Sequence, residues 1–321
     1  MKKILSGLVV AGAFALALTG CSTPAGGGAD DGIITVGFAQ TGSESGWRSA
    51  NTDSMKAAFS EANGFKLVFN AADNKPEAQI AAVRSFINQG VDAIVIAPIV
   101  TDGWDDVLKE AQAANIPVIL EDRTLSSSDS LYASWVGLDF NREGERAGEW
   151  VKQNFDGKAA NLVILEGTTG SSAAKDRSAG FTSAIAGTDI NVLDSQTGNF
   201  TRAEGKTVME GFLQKYGNTI NVLFAQNDDM GLGALDAIKA AGLKPGVDIQ
   251  IVTIDAVHDG MQALANGEFN YIVECNPLLG EKVAALVKSV LAGTKVDKAT
   301  IVEDGAFTKD DAIKLLPTRP Y

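Results

Sequence analysis

The chain has 321 residues, 45% of them hydrophobic and 21% charged, and a formal charge of −13. That length exceeds the size at which a single core stops growing, so two domains are expected. So negative a surface repels phosphate backbones and excludes nucleic acid as a partner.

Residues 1–21 start with Lys2 and Lys3, continue through an apolar stretch at 4–18 and end in Leu18-Thr19-Gly20-Cys21. The pattern is that of a secretory signal peptide, too short for a membrane helix. Its last four residues form a lipobox, in which Cys21 becomes the lipidated first residue of the mature, membrane-anchored protein. Loss of Lys2 and Lys3 with the leader takes the charge from −13 to −15. Residues 22–32, with Gly26, Gly27 and Gly28, read as a flexible tether. After the leader no apolar run is long enough to span a bilayer. With Cys21 lipidated only Cys275 remains, so the fold is expected to stand without an intramolecular disulfide. A Cys21–Cys275 bridge is the competing reading.

From residue 33 short β-branched runs alternate with helical patterns of about a dozen residues, as βαβ units with parallel strands do. Runs near Ile33, Phe65, Val91 and Ile116 are apolar at nearly every position, as strands covered on both faces are. Between them lie helical patterns at 47–62, 76–89 and 103–114, with Gly64 and Gly90 at cap positions and Pro76 in a first turn. A second series follows, with helices at 142–155, 171–186, 200–216 and 229–241 and strands at 161–165, 190–195, 220–225 and 249–254. One more strand at 269–273 and a helix at 277–291 precede the tail 301–321. The expected fold is α/β, two doubly wound parallel-sheet lobes joined by a hinge.

The loops after the strands hold the chemistry. Thr41-Gly42-Ser43-Glu44-Ser45-Gly46-Trp47-Arg48 follows the first strand, at the end where open α/β sheets hold ligands. Asp122-Arg123 ends the run at 116–121, Arg177 opens the helix after Gly167-Thr168-Thr169-Gly170, Phe200 and Asn227 begin later loops, and Asp255 closes the strand at 249–254. Carboxylates, amides and guanidinium forks suit vicinal hydroxyls, and Trp47 with Phe200 can sandwich an apolar ring face. A sugar-binding cleft is the reading. Taken singly each group has another explanation: Asp122-Arg123 a solvated pair, Arg177 a surface charge, Phe200 a core side chain, Asn227-Asp228 a helix cap.

Catalytic templates mostly fail. A single histidine, His258, excludes paired-histidine zinc sites, and its expected place is the loop after Asp255. Gly42-Ser43-Glu44-Ser45-Gly46 carries Glu at the centre of a nucleophile-elbow spacing. Neither Gly231-Leu232-Gly233 nor 167–170 completes a phosphate-binding motif. No cofactor and no metal are expected. The enzyme alternative is a glycoside hydrolase pairing Glu44 with Asp122 or Asp255.

Together these residues resemble the type I periplasmic sugar-binding proteins that feed ABC transporters, most closely their galactofuranose-binding branch. The likeness runs from about residue 33 to the carboxyl end. It is carried by 42–48, by Val83-Arg84-Ser85-Phe86 with Gly90-Val91-Asp92-Ala93-Ile94, by Ala97-Pro98, Asp122-Arg123, Gly198-Asn199-Phe200-Thr201-Arg202 and Asn227-Asp228-Asp229-Met230. The resemblance implies a monosaccharide in the interlobe cleft. Its ligands would be Glu44, Ser45, Gly46, Trp47, Arg48, Asp122 and Arg123 from one lobe and Arg177, Phe200, Asn227 and Asp255 from the other. Where ribose binders place a glutamine this chain has Cys275, with Glu274 beside it. The lobes would be 33–136 plus about 276–300, and 137–275 plus about 301–321. No calcium loop is present, and a leader stands where the related repressors carry a DNA-binding helix-turn-helix. The implied partner is a transporter permease, and the implied protein is a monomer held outside the cytoplasm by the lipid on Cys21.

Overall fold

The computed structural model describes residues 32–321. The leader, the lipobox with Cys21, and all but the last residue of the tether lie outside the described residues. Among those described, the strands form two six-stranded sheets. The first holds β1 (Ile34–Gln40), β2 (Phe65–Ala71), β3 (Ala93–Ile96), β4 (Val118–Asp122), β5 (Ser134–Gly137) and β11 (Ala299–Ile301), in the order β11-β5-β4-β3-β1-β2. The second holds β6 (Ala160–Glu166), β7 (Ile190–Thr197), β8 (Val222–Ala225), β9 (Gln250–Asp255), β10 (Tyr271–Glu274) and β12 (Ala306–Phe307), in the order β12-β10-β9-β8-β6-β7. All pairings are parallel except β12 with β10.

Burial follows position in the sheet. The central strands Ala93–Ile96 and Val222–Ala225 are apolar and buried at every residue, with helices on both faces. The run at Phe65 does not match the expectation of a strand covered on both sides. It is an edge strand in which only Phe65 is buried, because β1 lies on one side of it and no strand on the other.

The helices are α1 (Gly46–Ala58), α2 (Pro76–Gln89), α3 (Asp105–Ala113), α4 (Phe140–Asn154), α5 (Ser172–Ile185), α6 (Arg202–Tyr216), α7 (Asp228–Ala240), α8 (His258–Asn266), α9 (Gly280–Leu291) and α10 (Lys309–Leu315). Ser45, Asp139, Ser171, Thr201 and Asn227 cap α1, α4, α5, α6 and α7, each accepting a backbone N–H with its side chain. Gly90 closes α2 in the left-handed region at φ +66°. His258 opens α8 instead of lying in a loop, because Val257 brings the chain into the helix directly after Asp255 and Ala256. None of these helices is long and apolar enough to cross a membrane.

The chain passes between the sheets three times, from β5 to α4, from β10 to α9 and from β11 to β12. The second passage returns α9 to the first lobe, where it packs on α1. In the second lobe α4 and α5 come together through glycines. A Cβ on Gly144 would lie 2.1 Å from the Arg177 carbonyl oxygen, and one on Gly180 would lie 2.0 Å from that of Asn141. Backbone cannot yield as a side-chain tip can, so Gly180→Ala should overpack this contact and cost about 3 kcal/mol of stability. Urea unfolding of the purified variant measures it, and a loss below about 1 kcal/mol would contradict the packing.

Candidate functional site

A cavity of about 290 Å³, opening included, lies where the strand ends of the two sheets meet. Its walls come from successive loops: Glu44, Ser45, Trp47 and Arg48 after β1, Asp122 and Arg123 from the end of β4, and Phe140 after β5. Ala173 and Arg177 follow β6, and Phe200, Asn227, Asp255 and Cys275 come from β7, β8, β9 and β10. Every position expected in the cleft lines it except Gly46, whose N–H donates to Asp229 Oδ2 at 2.7 Å. Phe140 and Ala173 were not expected. Phe140 escaped because the helical pattern is clear only from residue 142, whereas its cap is Asp139.

On the first lobe Arg48 is the centre. Its Nη2 donates to Asp122 Oδ2 at 2.7 Å and its Nε to Glu44 Oε1 at 3.2 Å. The guanidinium lies 4.6 Å from the Trp47 ring centroid, and the indole N–H donates to the Cys275 carbonyl at 2.6 Å. Arg123 completes the group, with Nη2 at 3.9 Å from Glu44 and Nε at 3.7 Å from Asp122. Asp122 and Arg123 are each 3% exposed, so they are not a solvated pair.

The second lobe repeats the plan around Arg177, which is equally buried. Its Nε donates to Glu143 Oε2 at 2.7 Å, its Nη1 to the Gln226 carbonyl at 2.6 Å, and its Nη2 lies 3.8 Å from Asp255 Oδ1. Phe200 joins the halves, its ring centroid 5.2 Å from the Arg123 guanidinium and 5.8 Å from that of Arg177. A Cβ on Gly167 would fall 1.8 Å from Phe200 Cζ, so only glycine there leaves room for the ring. Asn227 is both cap and wall. Its Oδ1 accepts from Met230 N, and its Nδ2 donates to the Phe200 carbonyl at 3.1 Å. The neighbour Glu274 turns away from the cavity, accepting from Gly305 N, Tyr321 Oη and Arg319 Nη1.

Backbone strain gathers at the same walls. Asp122, Phe200 and Asp255 have φ of +60°, +63° and +127°, where a non-glycine residue costs about 1–3 kcal/mol. Asp122 and Asp255 face arginines there, and the Phe200 ring lies beside two guanidinium groups.

The electrostatics separate two kinds of carboxyl. Burial alone would raise Glu44, but the Arg48 and Arg123 cations hold it below the ordinary carboxylate range. Glu121, behind Arg48, is pushed up to about 8 by burial and then by the Asp122 anion. Burial likewise raises Glu143, and raises Asp255 well above the usual range against the pull of Arg177. Arg123 is drawn down to about 10 by burial and the nearby Arg48 cation. Burial first, and then the neighbouring Glu143 carboxyl, push the Cys275 thiol well above its usual range. Arg48 Nη1 and Arg123 Nε make no hydrogen bond within the protein although both side chains line the cavity. Among the described residues no group of His, Cys, Asp and Glu is placed to hold a metal ion.

Two lobes meeting strand-end to strand-end over a buried polar cavity define a cleft-type solute-binding protein. The periplasmic binding protein domain family matches residues 36–295. The chain belongs to that family, as a type I periplasmic sugar-binding protein of ABC importers that works outside the cytoplasm, and it is not an enzyme. It is 46% identical over 284 residues to the galactofuranose-binding protein YtfQ of Escherichia coli, covering 87% of this chain and 89% of that one. It is 40% identical to the fructose import binding protein FruE of Bifidobacterium longum, covering 100% and 99% of the two chains. A solved structure from Mycobacterium smegmatis in complex with β-D-fucofuranose is 53% identical and superposes with a TM-score of 0.87, covering 89% of this chain and 95% of that one.

The raised Glu121 fixes a sign for pH dependence. The folded protein keeps a proton that the unfolded chain releases above 4.5, so this group's contribution to stability fades as pH rises from 4.5 through about 8. Glu121→Gln preserves an acceptor for Asn51 Nδ2 and removes the ionisation. Thermal melting across that range should show the variant losing less stability than the parent, and parallel curves would contradict the assignment.

Proposed function

We propose that the protein captures a neutral monosaccharide in its furanose form, galactofuranose foremost, and presents it in the closed state to an ABC permease. One observation carries this reading: two arginine–carboxylate clusters, one per lobe, face a single cavity that Trp47 and Phe200 also line. A sugar hydroxyl both donates and accepts, so it can use a carboxylate oxygen and a guanidinium N–H together. Arg48, Arg123 and Arg177 already stand beside Glu44, Asp122, Glu143 and Asp255. A uronate or sugar phosphate would bring a charge that these pairs do not call for.

The furanose form is supported by the names of the relatives, one binding galactofuranose and one seen with fucofuranose, its counterpart lacking the C6 hydroxyl. The site roles follow position. Glu44, Ser45, Trp47, Arg48, Asp122 and Arg123 contact the sugar from a lobe of residues 33–136 and about 276–300. Arg177, Phe200, Asn227, Asp255 and Cys275 contact it from a lobe of 137–275 and about 301–321. Sugar touching both sides favours the closed state over open ones. The protein acts as a monomer tethered through lipidated Cys21.

Titration calorimetry should show binding of galactofuranose and fucofuranose and none of galacturonate. Flat heats with all the neutral sugars would overturn the substrate class. Arg123→Ala should raise Kd by about 10- to 150-fold, the range of one charged hydrogen bond, while the circular dichroism of the fold stays that of the parent. An unchanged Kd would remove Arg123 from the site.

A further inference from the structure

We propose that Asp229 is a positioning residue for closure, a latch between the lobes that strengthens sugar capture without touching the sugar. It rests on the closing cleft inferred above and assigns a role to a residue outside it. Asp229 Oδ2 accepts the N–H of Gly46 at 2.7 Å, across the lobe boundary. Its Oδ1 accepts from Arg202 Nε at 3.3 Å, and Arg202 Nη2 donates in turn to Asp259 Oδ2 at 3.0 Å. Both carboxylate oxygens are therefore engaged away from the cavity. Asp229, Gly46 and Arg202 line a separate groove, together with Val257 and Asp259, and none of these five lines the sugar cavity.

The chemistry suits a latch. Gly46 is the first residue of α1, so its N–H is one of the donors that a helix leaves without an internal partner. An anion at that end is favoured by the aligned peptide dipoles. The contact is close-packed, since a Cβ at Gly46 would sit at ordinary contact distance from Asp229 Oδ2, 3.5 Å, and Val257 Cγ2, 3.8 Å. Arg202 holds the carboxylate aimed across the gap. The latch is also geared to the cavity. Ser45, next to Gly46, and Asn227, two residues before Asp229, are cavity walls and caps of the two helices concerned. When these walls approach around a sugar, the amide and the carboxylate arrive at hydrogen-bond distance together. Uncharged contacts between the lobes accompany it, among them Thr101 N to the Gly170 carbonyl at 2.9 Å, Thr124 N to Ser172 Oγ at 3.0 Å and Trp47 Nε1 to the Cys275 carbonyl at 2.6 Å.

A contact present only in the closed state multiplies the affinity for every ligand by one factor and leaves the ratios between ligands alone. Asp229→Ala should raise Kd about tenfold for each sugar bound, as expected for one charge-assisted hydrogen bond, through faster dissociation in stopped-flow. The preference among sugars should not move. Arg202→Gln, on an exposed side chain, should act in the same direction with a smaller factor, and it serves as the readout if Asp229→Ala does not fold. Single-molecule energy transfer between dyes on α3 and α6 should show the closed-to-open ratio falling by the same factor. That readout separates the two proposals, because a parent protein that binds none of the sugars still reports its own closure. Unchanged Kd and closed fraction in Asp229→Ala, or a changed order of preference among sugars, would overturn the latch.

Discussion

Three guanidinium groups, those of Arg48, Arg123 and Arg177, are each no more than 3% exposed at the meeting of two lobes. Moving a charge out of water costs several kcal/mol unless partners and hydrogen bonds replace the water. Much of the local structure is the means of replacement. Asp122 takes a left-handed backbone at the end of β4 and delivers its carboxylate to Arg48, while α4 and α5 meet closely enough for Glu143 to reach Arg177. Phe200 is also left-handed, and its ring lies between the remaining cation of the first lobe and that of the second. Strain, close helix packing and glycine placement thus serve one electrostatic demand, which is set by a ligand that is polar on all edges.

The pattern of strand, loop and helix was legible because it rests on local chemistry. A fully apolar run such as Ala93–Ile96 has few alternatives to a buried strand, and a Ser, Asn or Asp before a helical period marks a start. The pieces that sequence did not show are short or depend on distant partners. β5, β11 and β12 are two to four residues long and exist because another segment offers them a ladder, Ala299 beside Trp135 and Ile272 beside Phe307. No periodicity develops over such a length. The helix at His258 was hidden in the same way, since its nine residues follow the strand after only Ala256 and Val257.

At the cavity, legibility followed polarity. Charged and aromatic residues after strands are conspicuous, and they assembled. Ala173 gives no chemical signal, and Glu143 lies in a helix with several other acids, so its pairing with Arg177 appears only in three dimensions. Gly46 shows the converse. Its place in a loop of ligand-like residues suggested a contact with the sugar, but an α-helix turns about 100° per residue. Glycine also has no side chain to send into the cavity, and its N–H, the first of α1, donates to Asp229 Oδ2 while Ser45, Trp47 and Arg48 line the cavity. A ligand loop that opens a helix cannot aim every residue one way.

The connections would give the proposed closure a defined path. The three crossing segments are bonded to one another, Asn276 N to Asp304 Oδ1 at 3.0 Å, Gly305 N to Glu274 Oε2 at 2.8 Å and Val302 N to the Gly137 carbonyl at 2.8 Å. Arg146 adds a bond from its Nη1 to the Asp304 carbonyl at 2.6 Å. Burial, with Glu143 close by, pushes the Asp304 carboxyl up to about 8. Segments tied in this way resist sliding apart but tolerate rotation about the tied edge, the hinge form of domain motion. Rotation about that edge changes the gap most at the loops that do not belong to it. Those loops carry Glu44, Arg123, Arg177, Asn227 and the Gly46–Asp229 contact, so the groups that the proposed closure would bring together lie outside the three crossing segments.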